Sequence, residues 1–323
     1  MELLRTLGAV LGPPDATVSR LATALELPAA PTPAEYAFVF QAQLPPYASI
    51  YLSAAGEPGG DARDRIAGFW RAVGEAPPAE PDHLGRMLTF YAELLEREDR
   101  ESDQALRHAV ARIRKAFLWE HLLTWLPAYV TKIDLLSPQP YRRWAQLLEQ
   151  AVSRESWRAG SLATVPPTLR RLQEIGDPPA GDLDALVVYL TAPARSGIIL
   201  APVDLERAAD ELHAPVPAGG VRSGLRALAA LRANALLNWA AAEARRWELR
   251  HERNRDLLPA LTDHWMRRAR ATRTLLMAWI RGHEMAPAEL AESGAGRPAG
   301  PSTRGRARPQ DHAPRGARSH RHP

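Results

Sequence analysis

Three short segments of the chain, at residues 35–51, 80–84 and 117–127, stand out by their aromatic and charged side chains. Aromatic rings offer apolar contact surface, and carboxylates pair with the guanidinium groups of arginines. A groove that combines both can hold an amphipathic peptide that carries arginines. The residue types of these segments are therefore compatible with peptide binding.

Eight residues of these segments are our candidates for contact with such a peptide: Tyr36, Phe40, Tyr47, Tyr51, Asp82, His83, Glu120 and His121. Each also has a structural explanation. Rings such as Tyr36 and Phe40 commonly pack in the core of a helical protein. Asp82 can cap the helix that follows it, and Glu120 lies in an apolar stretch where a buried carboxylate needs a partner. The residue types leave both explanations open.

Common catalytic signatures are missing from the chain, which also has no cysteine. Neither a phosphate-binding GxxxxGK[ST] loop, nor GxGxxG, nor GxSxG occurs. His251 and Glu252 begin an HExxH-like sequence, but Arg255 occupies the position of the second histidine. Without cysteine there are no disulfides, thiolate zinc sites or iron–sulfur ligands. We predict that the protein is not an enzyme and uses no cofactor and no metal.

The elements that position these residues are predicted to be helices. Alanine and leucine are abundant, whereas strand-forming residues are few, and apolar residues recur at three- and four-residue steps. The clearest patterns are Leu84, Met87, Leu88, Tyr91, Leu94 and Leu95; Leu106, Val110, Ile113, Phe117, Leu118 and Leu122; and Trp144, Leu147, Leu148 and Val152. We expect all three patterns to face the core of an all-α, multi-helix bundle.

Composition divides the chain into three parts. Helical patterns alternate with proline breaks in residues 1–160 and again in residues 161–290, where the pattern of breaks changes, so we predict two helical units. Residues 291–323 contain seven arginines, two acidic residues and almost no apolar side chains, which predicts a disordered basic tail. The tail accounts for the net charge of +4 of the whole chain, and the remainder is close to neutral.

The basic residues also allow a different function, that of a helical nucleic-acid-associated protein that uses the tail. Arginines cluster between residues 245 and 270 as well. Acidic residues interrupt the predicted helices of residues 222–284 that carry this cluster, including Glu243, Glu248 and Asp263, which favours a salt-bridged exposed face over a phosphate-binding track.

Taken together, the aromatic segment, the Glu-Pro-Asp-His segment at 80–83 and the Glu-His-Leu segment at 120–122 resemble the TorD/DmsD/NarJ family of redox-enzyme maturation chaperones. The resemblance covers about residues 1–160, and it is what favours a site at Asp82 and His83 over a helix cap and a surface histidine. It implies a cytoplasmic, all-helical chaperone for a molybdenum-containing oxidoreductase subunit. Such a chaperone would bind the leader peptide of the subunit, either a twin-arginine leader or its remnant, during cofactor insertion and before export or assembly. The implied partner is the precursor of a molybdopterin-dependent oxidoreductase subunit, with no specific nucleic acid, and the implied chaperone is a monomer or dimer.

Two further expectations concern location and packing. No stretch reaches the roughly 20 apolar residues of a membrane span, and the first residues lack the basic region of a secretion signal, which agrees with a cytoplasmic protein. An apolar helix face in the second unit should be buried within the same chain, the alternative being dimerisation. Its members are Leu225, Leu228, Leu231, Leu236 and Trp239.

Overall fold

The computed structural model describes residues 1–160, 162, 164–253, 255 and 258–292, with side chains through residue 282. In these ranges the protein is helical and contains one isolated β-bridge but no β-strand, so the predicted all-α class is confirmed. The first helices are α1 (Glu2–Ala9), α2 (Ala16–Ala24), α3 (Pro33–Tyr36), α4 (Ala48–Leu52), α5 (Gly60–Ala72), α6 (Leu84–Arg100), α7 (Gln104–Phe117), α8 (Leu126–Leu136) and α9 (Gln139–Ala159).

The later helices are α10 (Pro167–Glu174), α11 (Leu183–Leu190), α12 (Pro193–Ser196), α13 (Pro202–Glu211), α14 (Val221–Arg253) and α15 (Pro259–Glu292). Two π-helical segments, Ala37–Gln43 and Leu118–Leu122, follow α3 and α7 directly. The predicted disordered tail lies outside the described residues from 293 onward. Among the described residues, no helix has the length and apolar character that a membrane crossing requires.

Polar side chains begin several of these helices by satisfying backbone N–H groups that have no helical partner. Asp15 accepts from the N–H of Val18 at 2.7 Å, at the start of α2. At α6 the capping residue is His83, whose Nδ1 accepts from the N–H of Gly85 at 3.2 Å. The sequence-based assignment of Asp82 as the cap of α6 is therefore wrong.

The core confirms the predicted apolar faces of α6 and α9, and of the pattern from Leu106 to Leu122 it confirms the second half, because Phe117, Leu118 and Leu122 are buried. Every member of the α6 pattern is buried, and on α9 Trp144 and Leu148 are fully buried. Helix α7 differs, because only Arg114 and Phe117 are buried on it while Leu106 is 56% exposed. Apolar spacing shows which side chains share a helix face, but it does not show whether another element covers that face.

Residues before and after position 160 pack against each other inside one compact unit, Met1–His283. The indole Nε1 of Trp265 donates to the carbonyl of Thr124 at 3.0 Å, and Lys132 pairs with Asp204 at 2.6 Å. A second unit, Glu284–Pro323, is described only through Glu292. The boundary at residue 160 between two helical units remains a prediction.

The apolar face of α14 is buried within the same chain, as expected, with one exception. Leu225, Leu228, Leu236 and Trp239 are buried, whereas Leu231 is 61% exposed. The helix is kinked at Arg232, where φ is −148° and ψ is 58°. A kink changes the angular positions of side chains about the helix axis. Residues on either side of the kink therefore need not share one face, and Leu231, next to the kink, is exposed.

Candidate functional site

The first aromatic segment forms a helix that widens into a π-helix. Thr32 and Glu35 build a capping box at the start of α3, with the N–H of Thr32 donating to the Glu35 carboxylate at 2.8 Å. Tyr36, the last residue of α3, is half-buried. Phe40 is buried, with its ring centroid 4.7 Å from that of Tyr141. Of the two predicted contact residues, Phe40 supports the core and Tyr36 remains reachable from solvent.

Tyr47 meets the 80–83 segment at the surface. Its hydroxyl donates to Oε1 of the exposed Glu80 at 2.8 Å, and its ring lies 5.2 Å from that of His83. Burial and the bond to Glu80 raise the pKa of Tyr47 to about 12, so the hydroxyl keeps its proton. Burial lowers the pKa of His83, although the charge of Glu80 opposes the shift. We call Tyr47, Glu80 and His83 the acidic rim.

Asp82 points away from this rim and into the protein. Its side chain is buried, and its Oδ2 accepts from the hydroxyl of Ser49 at 2.5 Å and from the N–H of Ser49 at 3.3 Å. The Ser49 hydroxyl accepts in turn from the N–H of Gly59 at 2.9 Å. Asp82 therefore satisfies a backbone group in the first turn of α4 and fixes the position of that helix.

Tyr51, on α4, is buried by aromatic stacking. Its ring lies 5.1 Å from that of Trp125 at an interplanar angle of 9°, and its hydroxyl donates to the carbonyl of Pro45 at 3.0 Å. Burial raises the pKa of Tyr51. Asp82 bonds Ser49, which lies on the same helix as Tyr51. Asp82 therefore positions the helix that carries Tyr51, so two of the predicted contact residues are linked through Ser49.

Glu120 and His121 lie on the second π-helical segment and contact a different set of residues. His121 is buried, with its ring 5.0 Å from that of Phe69 and 5.5 Å from that of Phe117. Burial, aided by the charge of Arg65, lowers the pKa of His121 to about 4. Glu120 is half-buried. Within the described ranges, no hydrogen bond, ion pair or ring contact joins these two side chains directly to the other six.

A cleft of about 530 Å³ opens beside Tyr51, and its two walls come from distant parts of the chain. One wall is formed by residues of the 42–57 segment and the other by residues of the 191–226 segment. Its lining is largely apolar and includes Leu44, Pro45, Ile50, Tyr51, Pro193, Ile199, Leu200, Pro202 and Val221. Ile50, Leu200 and Val221 are only half-buried, so apolar surface is available to a ligand.

The loop between α4 and α5 borders this cleft and is fastened by arginines of the later helices. Nη1 of Arg195 donates to the carbonyl of Ala54 at 3.2 Å, and Arg222 bonds the carbonyl of Ala55 and the carboxylate of Glu57. Gly56 has a φ of +70°, and a Cβ there would lie 1.7 Å from the carbonyl oxygen of Thr191. Only glycine permits so close an approach.

Sequence reasoning missed the second wall of the cleft, including Leu200, Val221 and Arg222. No motif marks these residues. They lie about 150 positions beyond the first wall, and only tertiary packing brings the two walls together. Glu80 was within the recognised segment, but the sequence did not show that its carboxylate, rather than that of Asp82, faces solvent.

The structure is that of an all-helical protein with a largely apolar surface groove. The described residues contain no cluster of side chains that could hold a metal ion. Residues 14–131 match the sequence model of the family described as nitrate reductase delta subunit. This match supports the predicted family in its broad sense, that of chaperones for molybdoenzyme maturation, and contains all eight predicted contact residues. No curated protein and no solved structure matches the chain.

Proposed function

We propose that the protein is a cytoplasmic, non-catalytic chaperone that binds the leader peptide of a molybdenum-containing oxidoreductase subunit during cofactor insertion. The observation that carries this proposal is the cleft of about 530 Å³, one wall of which belongs to the segment that matches the nitrate reductase delta family. A cleft of this size with half-buried apolar walls suits a few side chains of a bound peptide.

The two surfaces of the site have different proposed roles. The cleft takes apolar leader residues on Ile50, Leu200 and Val221. The acidic rim takes an arginine of the leader on the exposed carboxylate of Glu80, which the Tyr47 hydroxyl already orients at 2.8 Å. The buried residues Phe40 and Asp82 pack beneath the segments that form these surfaces, whereas Glu120 and His121 lie apart from both.

Val221→Asp tests the cleft. The substitution places a charge on a half-buried apolar wall, where an unpaired carboxylate opposes the burial of apolar leader residues. The wild-type affinity should be about micromolar, and the variant should bind leader peptides of the organism's molybdoenzyme subunits at least about tenfold more weakly by titration calorimetry.

Val216→Asp is the matched control, because Val216 is 61% exposed and does not line the cleft. It should bind like the wild type. Equal weakening in both variants would show that the cleft is not the binding surface. If the unaltered protein binds no twin-arginine or molybdoenzyme N-terminal peptide, the proposed function itself is wrong.

Glu80→Gln tests the acidic rim. Loss of the exposed carboxylate should weaken binding of a leader peptide that contains arginines by about twofold to fivefold at low salt, since an exposed ion pair contributes up to roughly 1 kcal/mol. A peptide in which glutamine replaces those arginines should bind both proteins equally. Glu93→Gln, at an exposed glutamate on α6, serves as control. Equal weakening by both substitutions would contradict a specific role for Glu80.

A further inference from the structure

Two glutamates of α14 are buried beneath arginines. Glu243 has no exposed surface, and its carboxylate accepts from Nη2 of Arg207 at 2.6 Å, Nε of Arg246 at 2.7 Å and Nη1 of Arg250 at 2.9 Å. Burial alone would raise the pKa of Glu243, but these guanidinium groups hold it below its usual range. Glu243 therefore acts as a buried anion that fixes three arginines from two helices.

Glu248, five residues further along α14, organises a second group. Its side chain is 3% exposed and lies 2.6 Å from Nε of Arg270, 2.9 Å from Nη1 of Arg245 and 3.6 Å from Nε of Arg273. Arg270 and Arg273 belong to α15, so the second group joins two helices as the first does. We call the six arginines of both groups the arginine face: Arg207, Arg245, Arg246, Arg250, Arg270 and Arg273.

The arginine face carries an excess of positive charge toward solvent. Six guanidinium groups surround the two buried carboxylates, and of the six only Arg207 also pairs with other described acids, Asp204 and Glu211. Four of the arginines, on α14 and α15, are between 37% and 55% exposed. The expected salt bridges between these acids and arginines are present, but Glu243 and Glu248 lie beneath the arginines and not beside them at the surface. Ordered, partly exposed guanidinium groups are suited to binding carboxylates.

Exposed apolar side chains lie among these arginines at helical spacing. Leu249, 41% exposed, follows Arg246 by three residues on α14, and Met277, 40% exposed, follows Arg273 by four on α15. Residues three or four apart share a helix face. Arginine and methionine are enriched at protein–protein interfaces. Proteins that bind single-stranded nucleic acid typically stack its bases on exposed aromatic rings, whereas Trp247 and Trp265 are buried here. The residue types therefore favour a protein partner.

We propose that the arginine face is a docking surface for an acidic, amphipathic segment of a partner protein. Carboxylates of that segment pair with the exposed guanidinium groups, and its apolar residues cover Leu249 and Met277. The surface lies on α13, α14 and α15, after the segment that matches the family, and its function does not depend on leader binding in the cleft.

The test uses the full chain and two probes. One is a helical peptide of about 16 residues made of glutamate, alanine and leucine, with leucines at three- and four-residue spacing. The other is a DNA duplex of about 20 base pairs. Fluorescence anisotropy at an ionic strength of about 0.1 M measures binding of each. The arginines of residues 291–323 are common to all variants and do not affect the comparison between them.

Two substitutions alter the face while leaving each buried glutamate two of its three arginines. The double variant Arg245→Gln with Arg246→Gln should bind the acidic peptide about tenfold more weakly, while Arg20→Gln with Arg112→Gln, at exposed arginines of α2 and α7, should not. Leu249→Ser should also weaken peptide binding, and this exposed position keeps the test valid if the double variant fails to fold.

Leu106→Ser, at an exposed leucine of α7, is the control for Leu249→Ser and should leave peptide binding unchanged. The proposal is overturned if the control substitutions weaken peptide binding as much as those on the face. It is also overturned if the duplex binds more tightly than the peptide and Leu249→Ser has no effect, an outcome that favours nucleic acid as the partner.

Discussion

Replacement of Lys132 by methionine is expected to lower the free energy of unfolding by about 3–5 kcal/mol, because it leaves a buried carboxylate without its closest cation. Nζ of Lys132 lies 2.6 Å from Oδ2 of Asp204, and both side chains are almost completely buried. Burial lowers the pKa of Lys132 against the opposing charge of Asp204. In the variant, Asp204 would keep the N–H of Ala201 at 2.7 Å and Nη2 of Arg207 at 3.3 Å.

Urea denaturation compares this variant with a matched change in an exposed pair. Arg226 and Asp184 lie 2.6 Å apart with both side chains exposed, so Arg226→Met should cost less than about 1 kcal/mol. Adding Asp204→Asn to Lys132→Met should recover part of the loss, since the amide carries no charge and still accepts from Ala201. A loss for Lys132→Met no larger than for Arg226→Met would contradict the expected role of burial.

The same pair connects the two predicted helical units, because Lys132 lies on α8 and Asp204 on α13. If residues 161–290 form a unit of their own, weakening this connection should separate the unfolding curve into two transitions. If the two parts fold only together, the variant should still unfold in one transition at lower denaturant. The shape of the curve thus tests the boundary at residue 160, independently of the size of the loss.

The sequence predicted the helices well where one face of a helix is fully covered. On α6, the three- and four-residue spacing from Leu84 to Leu95 identified the buried face, because burial on one side of a helix is what produces this spacing. On α7, the same reasoning failed at Leu106. Coverage of a helix face depends on which neighbour packs on it, and that information is absent from the local sequence.

In the candidate site, too, local sequence identified the segments but not their tertiary contacts. The segments around Tyr47 and residues 80–83 were recognised from local motifs, and the structure brings them together through the bond from Tyr47 to Glu80. The direction of a single side chain was not predictable, since Asp82 faces Ser49 and Glu80 faces solvent. The wall that contains Val221 could not be found from spacing either, because a long-range contact places it beside Tyr51.

Acidification from pH 7 to pH 5 is expected to remove about 5 kcal/mol of stability, because three buried histidines are held neutral in the folded protein. Burial lowers the pKa of His121 and His251 to about 4 and that of His264 to about 3, and nearby arginines add to each shift. In the unfolded chain the pKa of histidine is about 6.5. Between the two values the unfolded chain binds protons that the folded protein does not, so stability falls as the pH drops below about 6.5.

His121 offers the most direct test of this dependence on pH, since its buried ring packs against Phe69 and Phe117. In His121→Phe, an aromatic ring of similar shape replaces a group that must stay neutral, so the loss of stability between pH 7 and pH 5 should shrink by about 2 kcal/mol. His108→Phe, at an exposed histidine of α7, should leave that loss unchanged. Urea denaturation at both pH values measures the difference, and an unchanged loss in His121→Phe would show that His121 accepts a proton in the folded state without penalty.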